Sequence, residues 1–314
     1  MWYYVVAAVM GGILFLIVLT ALICFFKVFY SPKRKSVKAD EYPLPPDEIY
    51  KPHHEQMRTW IKQVRAMPHE NVSVVSFDGL TLRGKYYEHK AGAPVELMFH
   101  GYHGTSERDL CGGVERCFAL GRNALLIDQR GSGTSDGRVI SFGINERKDC
   151  LKWIEFALAR FGKDVKIILT GISMGGATVL MAAGEKLPEN VVYVLADCSY
   201  SSAREIICKS IKEMKLPPKI VYPFVRLGAR LFGGFSLEET SPLQAMKTCK
   251  TPVIFLHGDT DDFVPFTMSE RLYEACQTKK KLVRIAGAGH GLAYPCDIEG
   301  YLKAVREFDE TFTF

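Results

Sequence analysis

The stretch from Val165 to Leu180, VKIILTGISMGGATVL, decides how the chain folds. Its first half is a short apolar, β-branched run of the kind that makes a buried strand. Its second half is rich in small and helix-forming residues. Between them, Gly171-Ile172-Ser173-Met174-Gly175 fits a strand that turns abruptly into a helix and presents a serine hydroxyl above a sheet. Spelling alone does not settle this, because Gly133-Thr134-Ser135-Asp136-Gly137 obeys the same five-residue formula. Context separates the two: Ser135 lies in GSGTSDGR, which reads as loop on both sides. The glycines around Ser173 let strand and helix cross closely and tolerate the strained backbone of a protruding serine.

Outward from this stretch, strand and helix signals alternate. NVSVVSFDG and LTLRGKYYEH read as an opening hairpin, followed by strand-like VELMFHG, NALLIDQRG, VKIILTG, VVYVLADCS, PVIFLHGD and KLVRIAGAGH. ERCFALG, ERKDCLKWIEFALARFG, the segment after Ser173, FTMSERLYEACQ and DIEGYLKAVREFDETF have helical spacing. The expected fold class is α/β, a mostly parallel eight-stranded sheet with helices on both faces. The site is expected at the carboxyl ends of the strands.

The 314 residues are 47% hydrophobic and 24% charged, a globular composition, and the net charge of +5 signals no nucleic-acid footprint. The amino-terminal segment stands apart. Trp2 to Phe26 carries no charge and is long enough to span a bilayer, so residues 1–27 read as a single transmembrane anchor. A cleaved signal peptide fits less well, because MWYYVV has no positive start and the apolar run is long. Lys27, Lys33, Arg34, Lys35 and Lys38 follow the span, which places the remainder in the cytoplasm by the positive-inside rule. Residues 28–45 read as a basic, proline-rich linker and 46–314 as the folded domain, opening with a helix through Met57, Trp60, Ile61 and Val64. Eight of the nine cysteines follow the anchor without CxxC spacing, which signals neither zinc nor a disulfide scaffold and suits a reducing compartment. The sequon Asn71-Val72-Ser73 would matter only on the other side of a membrane.

A serine hydroxyl needs a histidine to take its proton and a carboxylate to orient that ring. His290, between Gly289 and Gly291 after the last strand, is the candidate base, while Asp259, Asp261 and Asp262 compete for the acid in HGDTDDFVP. The order serine, acid, histidine and the motifs around them resemble the α/β-hydrolase superfamily. In that family's HG-x-x-D-x-x-V-P frame, the resemblance points to Asp261 as the acid. It also implies an oxyanion hole made by the backbone N–H groups of Met174 and of Tyr102, the latter in the loop His100-Gly101-Tyr102-His103-Gly104. DQRGSGTSDG resembles the family loop that supports the elbow, which makes Ser135 structural. The resemblance spans roughly Asn71 to the end.

Residues 199–250 lie where the family carries a lid. SSAREIICKSIKEMK and IVYPFVRLGARLF have apolar faces at helical spacing that either roof an acyl pocket or simply cover the sheet. The span, short lid and acid loop resemble membrane-anchored bacterial relatives of the serine aminopeptidase and monoglyceride-lipase branch. The implied function is a membrane-tethered serine hydrolase acting on acyl esters of small or lipid-like alcohols, with no metal or organic cofactor. A peptidase or amidase is the alternative, with Glu205, Glu213, Glu238 or Glu239 binding an amino terminus. A non-catalytic membrane scaffold is a third reading, which has no physical need for all three residues.

Overall fold

A computed structural model describes residues 1–32 and 40–312. The basic residues Lys33, Arg34, Lys35 and Lys38 lie outside the described residues. Eight strands form one sheet: β1 (Glu70–Val75), β2 (Thr81–Tyr87), β3 (Val95–Phe99), β4 (Asn123–Asp128), β5 (Ile167–Ile172), β6 (Val191–Asp197), β7 (Val253–Gly258) and β8 (Lys280–Ile285). Their order is β1-β2-β4-β3-β5-β6-β7-β8. β1 and β2 pair antiparallel, as do β2 and β4, whereas every pairing from β4 across to β8 is parallel. The sheet is therefore mixed, with its antiparallel part confined to the hairpin edge. The parallel centre is covered on both faces, which is why β3, β4 and β7 are buried at every residue rather than at alternate ones.

The helices are α1 (Trp2–Val28), α2 (His54–Ala66), α3 (Ser106–Asp109), α4 (Gly113–Ala119), α5 (Glu146–Phe161), α6 (Met174–Ala183), α7 (Ala203–Glu213), α8 (Pro218–Phe232), α9 (Pro242–Met246), α10 (Phe266–Ala275), α11 (Ala293–Cys296) and α12 (Ile298–Asp309). One core joins the sheet to α5, α6 and the inner sides of α7 and α8, and a second joins it to α2 and α12. α7 and α8 form the lid between β6 and β7. Ser202 caps α7 by accepting from the Glu205 amide (3.2 Å), and Pro218 opens α8 where its missing N–H costs nothing.

α1 is the one helix among the described residues long and apolar enough to cross a membrane. Its first twenty residues are almost wholly exposed, but Ala21 and Phe25 are buried against α8. The chain just after it, which belongs to the stretch read as a linker, is packed as well. Phe29 is fully buried, edge-on to Phe142 and Phe235, and Tyr30 bridges to Val139. The Ser31 hydroxyl donates to the Gly131 carbonyl (2.6 Å).

Candidate active site

Three loops at the carboxyl ends of β5, β7 and β8 bring Ser173, Asp261 and His290 together. Ser173 stands between β5 and α6 at φ 55° and ψ −115°, a conformation that costs a residue with a Cβ on the order of 1–3 kcal/mol and persists only where the surroundings impose it. Here they do. The Ser173 amide donates to the Asp197 carbonyl (2.8 Å), its carbonyl accepts from Ala177 (3.0 Å), and a Cβ on Gly171 or Gly175 would lie within 2.1 Å of neighbouring backbone. No side chain fits at either glycine, so strand and helix cross as closely as the elbow requires.

The Ser173 hydroxyl is 2.9 Å from His290 Nε2, and His290 Nδ1 is 2.7 Å from Asp261 Oδ2. Burial opposes the charge on Asp261, but hydrogen bonds from His257 and His290 and the amide of Val264 hold its carboxyl down at about 2. An ionised carboxylate only accepts, so His290 carries its proton on Nδ1 and offers Nε2 to the serine hydroxyl. Oδ1 of Asp261 accepts from the amides of Phe263 (2.9 Å) and Val264 (2.7 Å). His257 Nε2 faces both Asp261 Oδ2 (3.1 Å) and the Val264 carbonyl (2.8 Å), leaving Nδ1 to accept from Ser269 (2.7 Å). This buried second histidine is a residue the motif contained but whose role needed the fold. Asp259 instead accepts from the Gly287 amide (2.7 Å) and pairs with Arg284, and Asp262 is exposed, so neither contacts His290.

The loop after β3 passes beside the serine: a Cβ on Gly101 would sit 3.6 Å from that of Ser173. His100 shapes it. Burial lowers its pKa, so the neutral ring accepts the Gln129 amide at Nε2 (3.0 Å) and donates from Nδ1 to the Gly101 carbonyl (2.8 Å). Tyr102 follows, and Met174 opens α6 on the other side of Ser173. Ser135 is far from this chemistry in role: its hydroxyl donates to the Asp128 carbonyl (2.5 Å) and accepts from the Arg83 amide (2.8 Å), pinning the loop after β4 to β2.

Above Ser173 lies a cavity of about 450 Å³. Tyr102, Phe142 and Tyr200 line it from the domain, and Ile206, Ile207 and Ile211 of α7 with Val221 and Val225 of α8 line it from the lid. The apolar faces of α7 and α8 therefore roof a cavity rather than only covering the sheet. Ile23, Cys24, Lys27 and Val28 of α1 complete the wall. No local signal marks these residues, because the same apolar side chains suit lipid and protein alike.

Cys198 Sγ, an Asp261 oxygen and a His290 nitrogen lie within 4.8 Å of one another. They make a poor metal site: burial pushes the Cys198 thiol well above its ordinary range, and Asp261 and His290 are engaged with each other and with Ser173.

The model of the prolyl oligopeptidase family matches residues 121–310, from the start of β4 through α12 and across the whole elbow, lid and histidine loop. The chain belongs to that family. YqkD of Bacillus subtilis is 31% identical over 190 residues, covering 60% of this chain and 62% of its own. The Saccharomyces cerevisiae membrane protein YNL320W is 25% identical over 60% of this chain and 61% of its own, so each alignment spans a little under two thirds of the relative. Among solved structures, the Pyrococcus furiosus esterase Pf2001 superimposes with a TM-score of 0.64 at 19% identity, over 89% of this chain and 100% of that one. This prolyl oligopeptidase family member therefore has the α/β-hydrolase fold.

Proposed function

We propose that the protein is a membrane-tethered serine hydrolase that cleaves carboxylic esters of small or lipid-like alcohols. The observation that carries this reading is the row Asp261, His290, Ser173 opening onto an apolar cavity. Ser173 Oγ attacks the ester carbonyl as His290 Nε2 takes its proton, and Asp261 stabilises the imidazolium that forms. The amides of Tyr102 and Met174 receive the developing oxyanion. The carbon to alkoxy-oxygen bond then breaks, His290 returns the proton to the departing alcohol, and an acyl ester on Ser173 remains. Water, deprotonated by the same histidine, attacks that ester and releases the acid and the free serine. No step calls for a metal or an organic cofactor.

The peptidase alternative needs a charged group to hold a peptide terminus, and the four lid carboxylates do not line the cavity. Glu205 pairs with Arg271, Glu213 with Lys209, Glu238 with Arg226 and Glu239 with Arg147. An apolar wall without an available carboxylate favours an acyl chain over a peptide amine. The length and apolarity of α1 support the tethering, and the lysines and arginine that follow it in the sequence support the cytoplasmic side; external protease acting on intact cells is expected to leave the domain uncut.

The test is turnover of p-nitrophenyl acyl esters and aminoacyl nitroanilides by the full chain in detergent, beside Ser173→Ala. Serine-dependent ester hydrolysis with a chain-length optimum is expected. Activity confined to the anilides would transfer the reading to a peptidase. Silence on both panels, with fluorophosphonate labelling equal in wild type and Ser173→Ala, would end it.

A further inference from the structure

The cavity above Ser173 is closed on one side by the helix assigned to the membrane, and the geometry of that helix fixes the height at which this happens. Trp2 to Ala21 spans twenty residues at 1.5 Å each, about 30 Å, the thickness of a bilayer's hydrocarbon core. Apart from Ala21, which is buried against α8, those residues are exposed almost throughout. The next two turns are the ones docked on the lid, and Ile23, Cys24, Lys27 and Val28 face the cavity, so its wall begins where the membrane ends.

The docking is built, not incidental. Gly228 of α8 lies so close to α1 that a Cβ there would come within 2.5 Å of the Ala21 carbonyl and 3.2 Å of Phe25, and Phe25 also meets Phe232 (5.9 Å between rings). The Tyr102 hydroxyl donates to the Val28 carbonyl (2.6 Å), tying the end of α1 to the loop beside Ser173. The turn between α7 and α8 also borders the cavity. Met214 and Leu216 line the cavity yet are 69% and 44% exposed, and Ile220 is 64% exposed. Lys212, Lys215 and Lys219 surround this apolar tip. Apolar side chains ringed by lysines are suited to insertion among anionic headgroups.

We propose that the cavity is an acyl-chain site entered sideways from the bilayer: the chain of a membrane-resident long-chain ester passes between α1 and the α7–α8 turn and brings its carbonyl to Ser173. This rests on the hydrolase reading above for its chemistry, but not for its binding step. The apolar lining suits a hydrocarbon tail, and Lys27 at the mouth suits an anionic or zwitterionic headgroup left at the interface.

The test uses the full chain reconstituted in phosphatidylcholine vesicles. 4-Methylumbelliferyl palmitate is placed either in the protein's own vesicles or in separate ones, and the soluble butyrate of the same alcohol reports the chemistry alone. Palmitate turnover is expected to be about tenfold faster in the shared bilayer. Gly228→Val, which forces α1 off α8, should lower palmitate turnover about tenfold while butyrate turnover holds. Ile207→Trp, which fills the cavity, should lower the palmitate to butyrate ratio. A binding readout stands apart from turnover: Ser173→Ala in vesicles containing a diazirine-bearing palmitoyl lipid should be photolabelled within residues 206–211 of the buried lid face, and Ile207→Trp should abolish that label. Equal palmitate rates in shared and separate vesicles, or label confined to the lipid-facing residues 2–20, would overturn the proposal. Absence of butyrate turnover would instead overturn the hydrolase chemistry and leave the photolabel to decide the acyl site.

Discussion

Asp261 is singled out from its two neighbours by how many donors converge on it. Two amides, His257 and His290 all point at its carboxylate. In Asp261→Asn the side-chain oxygen stays with the Phe263 and Val264 amides and the NH2 donates to Nδ1, so His290 loses the tautomer that receives the serine proton. Hydrolytic turnover is expected to fall on the order of 10⁴-fold. Asp259→Asn and Asp262→Asn should remain within about tenfold of wild type, since neither side chain reaches the ring. The opposite ranking in steady-state kinetics would move the role to another residue. Asp197, beneath the elbow, behaves differently. Burial raises its pKa from 3.8 to about 6, one oxygen has no partner among the described residues, and the other accepts a long bond from Tyr301 (3.3 Å). A carboxyl whose folded pKa is raised is stabilising while protonated, and that contribution is lost as pH rises through about 6. The ionised group then costs about 3 kcal/mol at pH 8. The Asp197→Asn variant carries an amide with no proton to lose in this range, so it should melt higher than wild type at pH 8, with the difference shrinking at pH 5. A pH-independent difference in thermal melts would show that Asp197 stays uncharged or well solvated throughout.

At the scale of elements, the alternation of strand and helix was readable because each central strand is buried on both faces and so is apolar without interruption. The elbow was readable for a related reason: a sterically tight crossing leaves glycines at fixed offsets. Glu96 breaks the pattern. It is the second residue of β3, fully buried, between Arg116, Arg122 (2.7 Å) and the Thr170 hydroxyl (2.7 Å), and Arg122 continues to Asp309 (2.5 Å). Nothing in VELMF announces this, because the arginines come from a helix and a loop some twenty residues on. Burial opposes the Glu96 charge, but the two guanidinium groups hold its pKa below the ordinary value. Glu96→Ala would strand the buried Arg116 and leave Arg122 with Asp309 alone, and the expected loss is about 3–5 kcal/mol in urea melts. A loss under about 1 kcal/mol would show that water reaches the arginines and that the cluster ties α4 and α12 to the sheet only weakly. The lid shows the reverse limit on reading sequence. Apolar faces at helical spacing in α7 and α8 are compatible with roofing a pocket or covering a sheet, and only the position of Ser173 beneath Ile206 and Ile207 separates the two.

The whole molecule departs most from what its sequence suggests at the junction of anchor and domain. An uncharged run followed by lysines and prolines reads as a tether on a flexible lead, since hydropathy reports only that side chains avoid water and not which apolar surface receives them. The fold gives the end of the anchor protein neighbours. Phe29, one residue beyond α1, is fully buried between Phe142 and Phe235, and its carbonyl accepts from the Ile140 amide (2.8 Å). Phe29→Ala should therefore behave as a core truncation despite its place beside a helix apolar enough to cross a membrane, costing about 3–5 kcal/mol. For a domain of this size that corresponds to a drop on the order of 10 °C in the melting temperature of the detergent-solubilised chain. Phe26→Ala, one turn away and facing out, is the control and should leave the melt unchanged. Equal melting temperatures for the two variants would mean that α1 swings freely of the domain in solution. A large difference would make the end of α1 part of the folded unit, so that the direction in which the apolar helix leaves the cavity wall is set by the fold itself.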